Sequence, residues 1–151
     1  MAIIYAGHGY YDAENCVSGI VLSDNTCLTQ EYFLEFDNSL DSNHVFYFFD
    51  ACYIGKMRVL GEEKPTRYVA MASDEYHSTV ESPELGHGVF TYYFLIDGII
   101  EGGLVYMEDA FNHAFWLCKE NHNMFPIDAD GDSSNNFALY EVDTGGGGGG
   151  G

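Results

Sequence analysis

Positive charge is what this 151-residue sequence most lacks: five Lys and Arg stand against 24 Asp and Glu, a formal net charge of −19 with His neutral. A surface this acidic repels phosphate backbones and anionic lipid headgroups, which excludes nucleic-acid and membrane-surface roles, and it draws in cationic partners such as Lys- or Arg-bearing peptides. Also lacking is any apolar run near the roughly 20 residues that a membrane span needs; the longest candidate, Val89 to Ile100, is interrupted by Asp97 and Gly98. The opening residues Met1-Ala2-Ile3-Ile4-Tyr5 carry no basic leader, so no signal peptide is expected. The cysteines (Cys16, Cys27, Cys52, Cys118) match no small disulfide framework, and Cys52 is read as a free thiol. Apolar residues, by contrast, are plentiful. Hydrophobic residues make up 46% and aromatics 16%, which excludes disorder over most of the length, and the length itself suits one core-forming domain.

The order of apolar runs predicts strands alternating with helices, and hence an α/β sandwich with a mainly parallel sheet of three or four strands. Ala2 to Ala6 reads as a first strand, apolar throughout and so expected to be buried on both faces, ended by Gly7-His8-Gly9. Val17 to Leu22 is a strand-like piece in a polar stretch. Thr29 can cap a helix running from about Gln30 to Leu40. Val45-Phe46-Tyr47-Phe48-Phe49 is the strongest strand signal, followed by the turn Asp50-Ala51-Cys52-Tyr53-Ile54-Gly55. A further strand spans Tyr68 to Ala72 and exits into Ser73-Asp74-Glu75. Helices are predicted over Gly88 to Gly102, apolar almost all round, and over Tyr106 to Asn121, where Met107, Ala110, Phe111, Ala114, Phe115 and Cys118 form a core-facing stripe. A short edge strand is expected at about Phe137 to Tyr140, and residues 144–151 close the chain as a glycine-rich tail.

The chemistry centres on His8 and Cys52, each placed immediately after an apolar strand. If those strands are parallel neighbours, both residues leave the sheet at its carboxyl edge, where open α/β sheets place their sites. Adjacent strands lie about 4.8 Å apart, so side chains just beyond their ends come within hydrogen-bonding reach. Cysteine is a strong nucleophile near neutral pH, and an imidazole can take its proton and later protonate a leaving amine. Gly7 and Gly9 let the backbone approach a substrate, and the amides of Gly9 and Cys52 are candidate donors to an oxyanion.

Three blocks carry a resemblance. Tyr5-Ala6-Gly7-His8-Gly9, Phe48-Phe49-Asp50-Ala51-Cys52-Tyr53-Ile54-Gly55, and Gly88-Val89-Phe90-Thr91-Tyr92-Tyr93-Phe94-Leu95 resemble, in order, the His-Gly block, the Asp/Glu-Ala/Ser-Cys-x-x-Gly block and a downstream helix of caspase-like cysteine peptidases. That superfamily includes caspases, metacaspases, legumains, clostripain and gingipains, and the resemblance spans roughly residues 1–141. It implies a three-layer α/β/α sandwich over residues 1–143 and a cysteine endopeptidase with His8 and Cys52 as its dyad and the Gly9 amide in the oxyanion hole. It also implies strands and a helix before the His-bearing strand, so the domain is expected to be incomplete at its N-terminus. Asp50 would pair with a cationic P1 side chain, an arrangement resembling metacaspases and clostripain, whereas legumains carry Glu there and prefer Asn. Ser73 and Asp74 are further candidates for the wall of that substrate pocket. The expected partner is a peptide or protein with Arg or Lys at P1. Ile54 departs from the small residues common at its place in the family.

Other patterns compete. On the same fold, the chain could be an inactive scaffold or interaction module. Cys52-x-x-Gly55-x-x-Arg58 fits the spacing of a Cys-dependent phosphatase loop, although Tyr53, Ile54 and Met57 are bulky and the net charge opposes a phosphorylated substrate. No cofactor is required by this chemistry. Calcium is suggested by Asp128, Asp130 and Asp132, but Ser133 and Leu139 stand where an EF-hand loop needs Gly and Glu, and a solvated acidic loop is the preferred reading. His113, Cys118 and His122 fall on different helix faces and make a poor zinc set.

Overall fold

The structure is a computed structural model, and it describes residues 1–62, 64–131 and 137–139. Its centre is a four-stranded, mostly parallel sheet in the order β1 (Ala2–Ala6), β5 (Val45–Asp50), β6 (Arg67–Met71), β9 (Ile127–Asp130). β1, β5 and β6 run parallel, and β9 joins antiparallel to β6. β5 is buried at every residue, as expected of an apolar run in the middle of a sheet. Its alternate side chains feed two cores. Phe46 and Phe48 point to one face, where Phe90, Phe94, Phe111 and Met107 meet them; the Phe48 and Phe90 rings stack with centroids 5.2 Å apart. Val45, Tyr47 and Phe49 point to the other, against Phe33, Met57 and Leu60.

α1 (Gln30–Asn38) starts where the sequence places it, with the Thr29 hydroxyl accepting a hydrogen bond from the Tyr32 amide. Below the second core follow a 3₁₀ turn, Gly55–Arg58, and the short α2 (Val59–Glu62). On the opposite face lie α3 (Val89–Thr91), which runs straight into a π-helical stretch, Tyr92–Glu101, and α4 (Met107–His122). The π stretch replaces the ordinary helix that the apolar pattern predicts. Its wide coil closes where Gly98 lies against the Tyr93 carbonyl, a spot at which a Cβ would sit 3.0 Å from the oxygen. Among the described residues no helix is long and apolar enough to cross a membrane.

Further sequence expectations are corrected here. β1 is not buried on both faces: Ala2, Ile4 and Ala6 are exposed, Ile4 at 58%, because β1 is an edge strand and the helices over Phe46 and Phe48 do not extend across it. Asp128 and Asp130 lie in an edge strand rather than in an acidic loop. Ala129 and Ile127 hold that strand on the core while Tyr68 donates its hydroxyl to Asp128, so burial on one side overrides the poor strand preference of aspartate. The polar stretch after His8 is a separate antiparallel sheet of β2 (Gly9–Asp12), β3 (Val17–Val21) and β4 (Cys27–Thr29), where only β3 had an apolar signature; a two-stranded antiparallel pair, β7 (Glu81–Ser82) and β8 (His87–Gly88), precedes α3. The predicted strand near Phe137 is reduced, within the described residues, to a single bridge between Ala138 and Tyr106. Tyr140, Asp132, Ser133, Ser134 and the tail at 144–151 lie outside the described residues.

Candidate functional site

The ends of β1 and β5 coincide. Ala6 pairs with Asp50 in register, and the Gly7 amide extends the ladder by one bond, donating to the Asp50 carbonyl at 3.0 Å. His8 and Cys52 therefore leave the sheet side by side at its carboxyl edge. His8 is exposed, and its carbonyl accepts from the Val21 amide and from the Tyr5 hydroxyl, so the turn is fixed while the imidazole is left to solvent. Gly9 lies against the Cys52 backbone so closely that a Cβ would stand 2.2 Å from the Cys52 carbonyl oxygen, and no other residue type fits there without displacement.

Backbone polarity at this point is unusual. Because Val21 donates to His8, the opposed residues Gly9 and Ile20 form a non-hydrogen-bonded pair, and the Gly9 amide points away from β3. Neither the Gly9 nor the Cys52 amide has an acceptor among the described residues, whereas the next amide, Tyr53, donates to the His77 carbonyl at 2.9 Å. Two adjacent unspent donors beside a cysteine form the kind of cradle in which a developing oxyanion is held.

The Cys52 thiol is half-buried, and all four cysteines are free. Its sulfur accepts a hydrogen bond from the Thr79 amide at 3.2 Å, and the Thr79 hydroxyl lies 3.7 Å away. Cys118 is of a different kind: burial, with the nearby Asp50 charge adding to it, pushes its thiol up to about 12, so it remains protonated and inert. Tyr53, next after the nucleophile candidate, has φ of 57°, a left-handed conformation that costs a side-chain-bearing residue about 1–2 kcal/mol. Ser18 of β3 braces this turn, donating its hydroxyl to the Tyr53 carbonyl at 2.7 Å.

Asp50 is only 5% exposed. Its Oδ2 accepts from both the amide and the hydroxyl of Thr91, at 3.0 and 2.6 Å. Gly88, the residue at the N-cap of α3, has no side chain to cap the helix and leaves the space that the Asp50 carboxylate fills; a Cβ on Gly88 would lie 2.2 Å from Oδ2. Asp50 is thus the cap of a helix nearly forty residues downstream. Burial raises its pKa, the Thr91 bonds oppose that, and the neighbouring Glu81 charge adds to it. Oδ1 has no donor among the described residues. Glu81, Ser82, His87 and Gly88 line an adjoining cavity of about 500 Å³.

Ser73 and Asp74 take other roles. Ser73 is fully buried and donates its hydroxyl to the Ala51 carbonyl, so it cannot face a substrate. Asp74 accepts from the amides of Tyr76 and His77 and pairs with His77 Nδ1 at 2.7 Å, which builds the loop that brings Thr79 to the sulfur. The phosphatase spacing finds no cradle: the amides of Tyr53, Lys56 and Met57 are spent on His77, Ser18 and Ile54, and Arg58 is tied to Glu62 and Glu75. His113 pairs with Asp97 and His122 with Tyr93, and Cys118 is buried, so no zinc set forms. Among the described residues no three potential ligands converge on a metal position, and Asp128 already accepts from Tyr68.

Thr79, Glu81, Thr91 and the tyrosines around Cys52 escaped the reading of the sequence. The Gly88-to-Thr91 spacing without a capping side chain was a signal that something else must cap that helix. Nothing in the sequence flags Thr79. Compared with protein-family models and with curated proteins, the sequence matched none.

Proposed function

We propose that this chain is a cysteine endopeptidase of caspase-like, three-layer α/β/α architecture that cleaves after Arg or Lys. The observation that carries the reading is the meeting of the Cys52 thiol, the His8 turn and the two unspent amides of Gly9 and Cys52 at one strand end. His8 takes the Cys52 proton, and the thiolate adds to the scissile carbonyl carbon. The carbonyl electron pair moves to oxygen, where the Gly9 and Cys52 amides receive it. Collapse of this intermediate expels the amine, which takes its proton from the His8 imidazolium and leaves a thioester on Cys52. His8 then deprotonates a water that attacks the thioester, releasing the acid and returning the thiol.

On this reading the P1 cation occupies the cavity that Glu81 and Gly88 line and meets Asp50 Oδ1 at its edge. Charge supports this choice. Four of the five cationic side chains are already tied to carboxylates, Lys56 and Arg58 to Glu75 and Lys64 and Arg67 to Asp37, so the acidic surface is left to attract a basic peptide. The same field disfavours nucleic acids and anionic membranes as partners.

Fluorogenic peptides carrying P1 Arg, Lys, Asn or Asp test the reading. Turnover of the Arg and Lys members is expected, and turnover only after Asn or Asp rejects the basic preference. A P1-Arg electrophile should label Cys52 and spare Cys118; folded protein that is neither labelled nor active points to a scaffold on the same fold. Asp50→Asn should lower kcat/KM for P1 Arg by about 10- to 100-fold, the worth of a charge-assisted hydrogen bond. In the wild type, protonating Asp50 removes the same charge. Because burial raises its pKa, P1-Arg turnover should begin to fall, on acidification, at a higher pH than an ordinary carboxylate would give.

A further inference from the structure

A second cavity, of about 460 Å³, is lined by Gly9, which lies against the Cys52 backbone, by Tyr53, the residue after Cys52, and by Tyr10, Tyr11, Glu75 and Tyr76. It shares no wall with the cavity next to Asp50. Two chain segments pass the sulfur on their way between this cavity and the one next to Asp50. Along β5 and its turn, Asp50 comes before Cys52 and Tyr53 after it. Along the following loop, Tyr76 lines this cavity, Thr79 touches the sulfur, and Glu81 to Gly88 line the other. A peptide whose P1 side chain enters the Asp50 side and whose carbonyl meets Cys52 would continue, beyond the scissile bond, over the tyrosines.

The cavity's chemistry differs from that of the Asp50 side. Glu75 is almost buried and its Oε1 receives Lys56 at 3.1 Å and Arg58 at 3.4 Å, so its charge is compensated. The walls are aromatic, with Tyr11 and Tyr76 meeting edge to face at 5.8 Å. Tyr76 is 68% exposed and Tyr53 38%, so neither ring is held there by core packing. Tyr53 even keeps its ring at a left-handed position that glycine would occupy at lower cost. A neutral, aromatic-walled cavity of this size suits a flat or bulky apolar group.

Resting on the peptidase reading, we infer that this cavity is a subsite for the residue following the scissile bond, selecting an aromatic or large aliphatic side chain. Internally quenched peptides with P1 Arg and either Phe or Gly at the next position test it. The Phe peptide should be cleaved with a kcat/KM about tenfold higher, a discrimination typical of an apolar pocket. In Tyr76→Ala that ratio should fall toward one; the exposed ring makes this a change the fold tolerates. A ratio near one in the wild type, with a P1-Arg coumarin amide still hydrolysed, overturns the subsite and leaves the peptidase standing. Binding is read without catalysis by titrating N-acetyl-phenylalanine amide into Cys52→Ala protein and following the Gly9, Tyr53 and Tyr76 amides by NMR. Shifts at these amides support the cavity's ligand class, and their absence overturns it. Shifts without turnover of any peptide by the wild type keep the aromatic site and overturn the peptidase reading.

Discussion

Cys52→Ala should abolish peptide hydrolysis outright, and His8→Ala should lower kcat by about 10²- to 10⁴-fold, the contribution of a positioned acid–base group. The substitutions differ in what they remove. On the proposed mechanism, no thioester forms without the sulfur, whereas without the imidazole the thiol persists but gives its proton to water and the amine leaves unassisted. His8 is exposed and only its backbone is bonded to the fold, so His8→Ala should keep the wild-type melting temperature. Kinetics on a P1-Arg substrate, with thermal unfolding of each variant alongside, decide the matter. A His8→Ala enzyme that retains full kcat would remove His8 from the mechanism. Labelling of Cys52 by a P1-Arg electrophile gives the companion result, since it should slow in His8→Ala and vanish in Cys52→Ala.

The second large effect concerns stability. Asp37, at the end of α1, is buried and gathers three donors from across the second core: Arg67 Nε at 2.7 Å, Lys64 Nζ at 2.5 Å and the Tyr47 hydroxyl at 2.6 Å. Arg67 is only 3% exposed and Tyr47 is fully buried. Asp37→Ala strands a buried guanidinium and a buried hydroxyl, and breaking a buried pair by removing one partner costs about 3–5 kcal/mol. Against a total stability of about 5–15 kcal/mol, that is a large fraction of what holds the fold together. Burial alone would raise the Asp37 pKa, but the bonds from Lys64, Tyr47 and Arg67 outweigh it and hold the carboxyl below its ordinary value. A carboxyl depressed in the folded state contributes stability above its unfolded pKa, about 3.9. That contribution is lost as the pH falls through the lower, folded value. Urea unfolding at pH 7 and pH 3 should therefore show a large loss for Asp37→Ala at pH 7 and a smaller difference between variant and wild type at pH 3. Equal stability of the two proteins at pH 7 would show the cluster to be energetically idle.

Legibility followed range. Uniformly apolar runs such as Val45-Phe46-Tyr47-Phe48-Phe49 announce buried strands because no other element hides every side chain of so short a segment. The Thr29 cap was equally plain, since its partner is three residues away. β9 was misread because its sequence, Ile-Asp-Ala-Asp, has little strand preference of its own and is held by the neighbour it pairs with. β1 was misread in the opposite sense: its apolar composition is real, but its place at the sheet edge leaves one face uncovered.

Composition and local pattern settled by themselves that this chain is acidic, core-forming and α/β, and that His8 and Cys52 follow strands of the sheet. These depend on residues close together in sequence and on the burial that apolar side chains demand. Tertiary structure alone decided that the two strand ends lie in register, that Gly9 presses on Cys52, that neither residue's amide has an acceptor among the described residues, and that Thr79 reaches the sulfur. It also decided that Asp50 caps a distant helix, that Asp74 serves a loop, and that the tyrosines gather into a cavity. Each of these turns on a distance of a few ångströms between residues far apart along the chain, and such a distance is set by how whole elements pack.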